Sequence, residues 1–314
     1  MCNNSPYILV LGASIVDIIG FSKKPYHGRD SIPGSIKISL GGVCRNIAEN
    51  LARVNVKTEF ISIIGGDSNG KQILENSREI GYSMEHSLIL KEECTPTYMA
   101  ILNEEGEMEA AIVDMESLNK METSFIASKA AIIENAEYII VDADNPKLLE
   151  YLLINFSHKT RFILDPVSAT KAEKIKHLIK YFHTIKPNRI ETEALCGFKI
   201  ESYKDLKKAA DFFLSLGVKN VFISLDSEGI YYKTSTEEGK IGIEAVKVKN
   251  VTGAGDAFVA GVGYGYMNNL SIRDTVKHAI AMSIITITNE NTINSNMSEE
   301  YVKEAIEKIN WIEE

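Results

Sequence analysis

Hydrophobic and polar positions follow two periods along this chain. Short apolar runs at 7–11, 60–64, 138–141, 162–164 and 221–225 are bounded by Gly, Asp, Asn or Ser. Runs of that length and enclosure predict strands buried on both faces. Other stretches have helical spacing: Ile47, Ala48, Leu51, Ala52 and Val54 share one face, and 148–154, 172–178, 258–267 and 275–288 are apolar helices in the same sense. From residue 138 onward strand and helix alternate, the grammar of a parallel sheet. After 221–225 the turn Asp226-Ser227-Glu228-Gly229 leads into a second strand at 230–233, and a strand-like run follows at 241–248.

Two segments break that grammar. Residues 28–40 alternate apolar and polar (Ile32, Ile36, Ile38, Leu40) around Pro33-Gly34, and 97–102 and 107–113 form an extended pair about Asn103-Glu104-Glu105-Gly106. Together they predict a β-lid outside the main sheet. Such a lid excludes water from a reaction beneath it. A peripheral hairpin used for packing or dimerisation has the same pattern, and the two roles are compatible. No repeat or low-complexity linker divides the 314 residues, so the predicted organisation is one α/β domain, 1–314, with lid strands inserted at about 28–40 and 97–113.

Charge narrows the partners. The formal net charge is −9 and the pI is near 5.4, spread along the chain. A diffusely acidic surface attracts neither nucleic acid nor an anionic membrane, so an anionic substrate must be met by local donors and a metal ion. Cys2, Cys44, Cys94 and Cys196 lie far apart without a paired spacing, which fits a reducing compartment. The short polar start (residues 1–6) reads as no signal peptide, and no apolar run reaches membrane length, so the expected location is the cytosol. Asn-x-Ser/Thr matches at Asn3, Asn155 and Asn250 carry no information there.

The candidate chemistry is concentrated in Asn250-Val251-Thr252-Gly253-Ala254-Gly255-Asp256-Ala257, a turn that opens the helix at 258–267. Three small residues let a ligand approach the backbone, and the first N–H groups of a helix have no internal partner and bind anions. Asp256 in such a turn would repel a phosphate unless it has another task, and accepting a proton from an attacking hydroxyl is the natural one. A flexible turn with a dipole-stabilised Asp is the alternative from spacing alone. Asp17 follows the first strand at its carboxyl end, where ligands gather in open α/β sheets, or is an ordinary turn carboxylate. Gly41, Gly42 and Asn46 open the helix at 47–54, where Asn46 is suited either to vicinal hydroxyls or to capping. Asn188 and Glu191 follow Pro187 at the spacing of a capping box, with an amide in place of Ser or Thr. Gly65-Gly66-Asp67-Ser68-Asn69-Gly70-Lys71-Gln72 is no Walker A loop, because Gln72 replaces the Mg²⁺-binding hydroxyl; it reads as structural, with Lys71 solvated. A dinucleotide-binding fold is disfavoured, since Gly12-Ala13-Ser14-Ile15-Val16-Asp17 stands where Gly-x-Gly-x-x-Gly is required.

The string 250–257 as a whole resembles the second signature of the ribokinase-like, or phosphofructokinase-B, family of sugar and nucleoside kinases, and the resemblance covers about residues 7–298. It implies a three-layer α/β/α sandwich with a mostly parallel central sheet and a small β-lid. It further implies that Gly253, Ala254 and Gly255 form the anion hole and that Asp256 is the catalytic base. The substrate is implied to meet Asp17, Gly41, Gly42, Asn46 and Thr97, with Lys171 as the candidate for a uracil carbonyl. Thr252, Gly253, Gly255, Asn188, Ser224 and Gly229 are implied to hold ATP, with the start of the 275–288 helix and the 291–298 loop around adenine. Asn188 and Glu191 are implied to organise Mg²⁺ through waters. Many members have Asp where Asn250 stands, and that Asp helps hold a monovalent cation, so dependence on one is open here. The wording around 41–53 and 165–171 is most similar to pseudouridine kinases within the family, although Val54-Asn55 departs from their usual Leu-Gly. The implied reaction is phosphorylation of the pseudouridine 5′-hydroxyl by ATP; ribose, fructose or adenosine as acceptor, or a non-catalytic nucleoside sensor, are the alternatives. The exposed edges of a lid also imply a homodimer.

Overall fold

The buried runs assemble as the period predicts, except that the 60–64 run divides into Thr58–Ile61 in the main sheet and Ile63–Gly65 in a separate two-stranded sheet with Leu88–Leu90. The computed structural model describes residues 5–314, so Cys2 and the Asn3 match lie outside the described residues. In chain order the strands are β1 (Ile8–Leu11), β2 (Ile15–Ser22), β3 (Gly34–Gly41), β4 (Thr58–Ile61), β5 (Ile63–Gly65), β6 (Leu88–Leu90), β7 (Thr97–Leu102) and β8 (Met108–Asp114). They continue with β9 (Tyr138–Asp142), β10 (Arg161–Asp165), β11 (Thr184–Ile185), β12 (Asn220–Ser224), β13 (Ile230–Lys233), β14 (Glu238–Ile243) and β15 (Trp311–Glu313). The main sheet runs β4-β1-β9-β10-β11-β12-β13-β14-β15, parallel as far as β12 and antiparallel beyond it. Helices cover it, and Leu9, Val10, Ile139, Ile140, Ile163 and Leu164 are all fully buried, as strands enclosed on both faces require. Among the described residues no helix is long and apolar enough to cross a membrane.

The lid is a separate four-stranded sheet, β3-β2-β7-β8. The two predicted segments supply β3, β7 and β8, whereas the β2 stretch carries only the expectation of a turn at 12–17. That turn is confined to Gly12-Ala13-Ser14, and Asp17 stands inside a strand, paired with Ser39 of β3 and Tyr98 of β7. The strand pattern was masked because β2 is apolar on both of its faces. In the predicted 28–40 segment only the part from Gly34 is extended.

Two further differences concern the far edge. The strand-like run at 241–248 is a strand only as far as Ile243; Glu244 N–H donates to Asn310 O (3.3 Å), and just past the run the N–H groups of Lys249 and Asn250 donate to Ile287 O (2.8 and 3.2 Å). β15, near the end of the chain, pairs with β14 and had no sequence signal strong enough to be read. The 65–72 turn is structural as expected: Asp67 caps the Ser68–Ile80 helix through Gly70 N (2.8 Å) and accepts from Thr95 Oγ1 (2.6 Å), while Lys71 is exposed.

Helix Ala254–Met267 packs closely against Ile272–Ile287. A Cβ on Gly261 would stand 2.4 Å from Ala279 Cα, and one on Gly265 would stand 2.4 Å from the Thr275 hydroxyl. Ser283 Oγ donates to Ala254 O (2.8 Å), so the same packing sets the height of the 253–256 turn. Gly261→Ala therefore overpacks backbone against backbone and is expected to cost about 2 kcal/mol of stability or more. Urea unfolding of the purified variant measures it, and an unchanged midpoint would show that the helices can separate without penalty.

Candidate active site

The carboxyl edge of the main sheet collects the chemistry. Asp142 and Asp165 end β9 and β10, in register with each other, and Lys186 follows β11. Lys186 Nζ pairs with Asp165 Oδ2 at 3.2 Å, and both side chains are buried. Burial alone would lower the Lys186 ammonium, but Asp165, Glu191 and Asp256 outweigh it and hold the group above its usual range. Lys186 is therefore a charged cation beneath the 253–256 turn; a Cβ on Gly255 would come within 2.9 Å of its Nζ.

Gly253 is the residue before helix Ala254–Met267, in the left-handed region at φ 85°, and a Cβ there would strike Thr292 O at 2.3 Å. Ala254 N–H is turned onto Val251 O at 3.3 Å, whereas the N–H groups of Gly253, Gly255 and Asp256 have no protein acceptor among the described residues. The unpaired donors, the helix dipole and Lys186 make this turn an anion site.

Asp256 lies in the first helical turn and is buried. Asn46 Nδ2 donates to its Oδ2 at 2.7 Å. Burial, and then the neighbouring Asp165 charge, push the Asp256 carboxyl up to about 7; the Asn46 hydrogen bond, Lys186 and Arg45 oppose them. A group that titrates near neutrality is matched to proton transfer.

Asn46 belongs to the Val43–Arg53 helix, which starts after Gly42 at φ 100°. Gly41 must lack a side chain, since a Cβ there would stand 2.1 Å from Asp17 Oδ2. Burial raises the Asp17 carboxyl, and Arg45 opposes it. Asp17, Gly41, Asn46 and Asp256 thus form one contact series from lid to anion site. Thr97 is not drawn into it: register places it opposite Val16, and its hydroxyl donates to Thr95 O (2.8 Å). Tyr98 is the β7 residue beside Asp17.

Asn188 and Glu191 form a complete capping box: Asn188 Oδ1 accepts from Glu191 N, and Glu191 Oε2 accepts from Asn188 N, both at 2.8 Å. Glu191 Oε1 has no donor among the described residues, and burial together with Asp165 raises its carboxyl. Capping therefore leaves one carboxylate oxygen free for a cation. Asn188 is bridged to Ser224, whose N–H donates to Pro187 O at 3.0 Å. Gly229 answers first to packing, because at φ 94° a Cβ would meet Ile241 O at 2.2 Å. Thr252 is exposed at the mouth, its N–H on Asn250 Oδ1 (2.9 Å), and Asn250 Nδ2 donates to Glu290 O (3.2 Å).

Lys171 stands away from the anion site, paired with Asp144 at 2.5 Å. Both border a cavity of about 280 Å³ whose wall includes Gly12, Ala13 and Asp142 and whose floor is apolar, with Met115, Leu118 and Leu148. Burial and the nearby Asp144 raise the Asp142 carboxyl. Reasoning from sequence missed two cations, Arg45 and Lys186. The available signal was position: a long basic residue directly before a site Asn, and another at the end of a buried strand.

A family model described as "pfkB family carbohydrate kinase" matches residues 5–299. The chain is 33% identical over 294 residues to "Pseudouridine kinase" of Escherichia coli (strain K12), covering 93% of this chain and 94% of that protein. Among solved structures, a putative sugar kinase from Clostridium perfringens superposes with a TM-score of 0.96 at 58% identity over 99% of each chain. The Arabidopsis thaliana ribokinase complexed with ribose and ATP superposes at 0.86 with 22% identity, over 96% of this chain and 99% of that one.

The raised Asp256 fixes a sign for stability. Its carboxyl is protonated in the native state at a pH where the unfolded chain has lost the proton, so its contribution is full below the usual carboxylate range and is lost as pH rises to about 7. Asp256→Asn keeps an acceptor for Asn46 but cannot ionise. Its melting temperature relative to the parent is expected to be higher at about pH 8 than at about pH 5, and a pH-independent difference in thermal melts would contradict the assigned burial.

Proposed function

The chain belongs to the pfkB family of carbohydrate kinases, and on that premise we propose that it transfers the γ-phosphoryl group of ATP to the 5′-hydroxyl of pseudouridine, giving pseudouridine 5′-phosphate and ADP. Kinases of this family are phosphotransferases with hydroxyl acceptors, and the ribokinase-like ones use ATP. The observation that carries the reading is the meeting of Asp256, held by Asn46, with the unpaired amides of the same helical turn. Phosphoryl transfer is catalysed chiefly by positioning and charge stabilisation, and this turn supplies both.

Asp256 orients the attacking hydroxyl and takes its proton; the amides of Gly253, Gly255 and Asp256, with Lys186, hold the phosphoryl oxygens. Asp17, Gly41, Gly42 and Asn46 hold the ribose hydroxyls. Ser224 and Thr252 border the nucleotide. Glu191, through its free Oε1, and Asn188 would hold Mg²⁺, which would supply neutralisation of the negative charge on the departing ADP.

The cavity beside Asp142, Asp144 and Lys171 supports a nucleoside over a bare sugar, because it offers room and polar groups for a ring beyond the ribose. Lys171 then meets a base carbonyl. We read the chain as one kinase domain with an inserted lid, working in the cytosol. Register also supports a homodimer through the lid: Ile36, Ile38, Met99, Ile101 and Ile112 share the lid face opposite Asp17, with Ile36 74% and Ile112 70% exposed.

ADP release with ATP and Mg²⁺ across pseudouridine, uridine, adenosine, ribose and fructose tests the reaction. Turnover is expected to favour pseudouridine and to fall about 10³-fold or more in Asp256→Asn. Equal turnover of all acceptors would overturn the substrate, and binding without any turnover would favour a sensor. Light scattering on a sizing column tests the assembly: the parent is expected as a dimer and the Ile38→Asp/Ile112→Asp variant as a monomer.

A further inference from the structure

Arg45 is among the largest fully buried side chains, only 2% exposed, and each of its three side-chain nitrogens donates a hydrogen bond. Nη1 donates to Glu49 Oε2 (2.6 Å) and Nε to Gly41 O (3.2 Å), while Nη2 donates to both Leu40 O (2.8 Å) and Asn46 Oδ1 (2.5 Å). Glu49 is shared with Arg53 at 2.7 Å. Leu40 and Gly41 end lid strand β3, so one guanidinium touches the lid, the sugar-facing Asn46 and, through it, Asp256.

We propose that Arg45 is a positioning residue for the base: it fixes the Asn46 amide with its NH₂ towards Asp256, and couples that setting to the seating of lid strand β3. An amide side chain is a donor at one end and an acceptor at the other, and the two ends have nearly the same shape. Without a cation on Oδ1 the amide can turn its oxygen towards Asp256, where it would repel a carboxylate. With Arg45 in place, Asp256 Oδ2 is committed to Asn46, and Oδ1, which has no donor among the described residues, is left for the acceptor hydroxyl.

Packing alone does not require the Asn46 bond, since Glu49 and two carbonyls already receive the fork. A buried ion pair is commonly no more stabilising than apolar side chains of the same volume. The groups around the pair are few. Asp256 faces Asn46, Asp165, Lys186 and Arg45; Arg45 faces Glu49, Tyr82, Asp17 and Asp256. Lys186 and Arg45 are the cations whose charge acts on the base.

The inference rests on Asp256 being the base, so Asp256→Asn is assayed first; full activity in that variant would overturn the base and the positioning role together. With the base established, Arg45→Met, Arg45→Lys and Glu49→Gln are compared by kcat, KM and the acid limb of kcat/KM, each checked for folding by melting. Arg45→Met is expected to lower kcat about 10- to 100-fold with KM for ATP within about twofold. Its acid limb is expected to move up by about half a unit, because a cation facing the carboxylate is gone. Arg45→Lys keeps the charge and is expected to restore the limb but not kcat, since an ammonium lacks the fork. Glu49→Gln is expected to melt lower with kcat and limb unchanged. An unchanged kcat in folded Arg45→Met, or the same kinetic losses in Glu49→Gln, would make Arg45 a packing residue only. Should Arg45→Met not fold, Arg45→Lys decides by the same division between kcat and KM.

Discussion

The hydrogen bond from Asn46 to Asp256 is the contact on which the rest of the site depends. It joins two helices that begin 211 positions of chain apart, Val43–Arg53 and Ala254–Met267, and each begins after a glycine with positive φ. A carboxylate buried this deeply resists ionisation, and the neighbouring Asp165 increases the resistance. Asn46, Lys186 and Arg45 bring it back within reach of neutral pH. A carboxyl that titrates there costs the folded protein stability as pH rises towards about 7, a common trade at functional sites.

The second dependence is geometric. Lys186 reaches the amides of the 253–256 turn only because Gly255 has no side chain, and Asp17 reaches the site only because Gly41 has none. The close approach of Ala254–Met267 to Ile272–Ile287 then holds the turn at its height. The lid enters through Arg45 and through Lys37, whose Nζ donates to Asn291 Oδ1 at 2.9 Å in the loop that also carries Thr292 against Gly253. Lid strand β3 therefore touches both the Asn46 side and the Gly253 side of the cluster.

Residue pattern alone was enough for the buried parallel strands, for the helices expected at 47–54, 148–154, 258–267 and 275–288, and for a lid expected at about 28–40 and 97–113, because burial on two faces or one leaves a periodic trace; the helices Ser68–Ile80, Tyr203–Ser215 and Glu299–Lys308 carried no such expectation. It was not enough for β2, whose faces are both apolar for unrelated reasons: one carries Asp17 at the site, and the other joins the core through Val16 and Ile18. The end of β14 was also misread, since Val246 and Val248 look like strand residues while their backbone neighbours are taken by the end of helix Ile272–Ile287.

Asp256, Asn46, Asn188 and Glu191 were legible because each sits in a short string whose local geometry, a helix start or a cap, is decided within a few residues. The sequence by itself determined which helix begins with unpaired amides beside a carboxylate, and that the sheet would be parallel. Only the tertiary structure decided what faces that carboxylate. Arg45, Lys186 and Asp165 come from a helix and two separate strand ends, and their effect on Asp256 follows from distance in a medium emptied of water. Thr97 is the converse case, a lid residue whose strand register turns it away from the Asp17 face. Local strings encode helix starts and turns; charge acts through space, and space is set by the packing of elements distant in the chain.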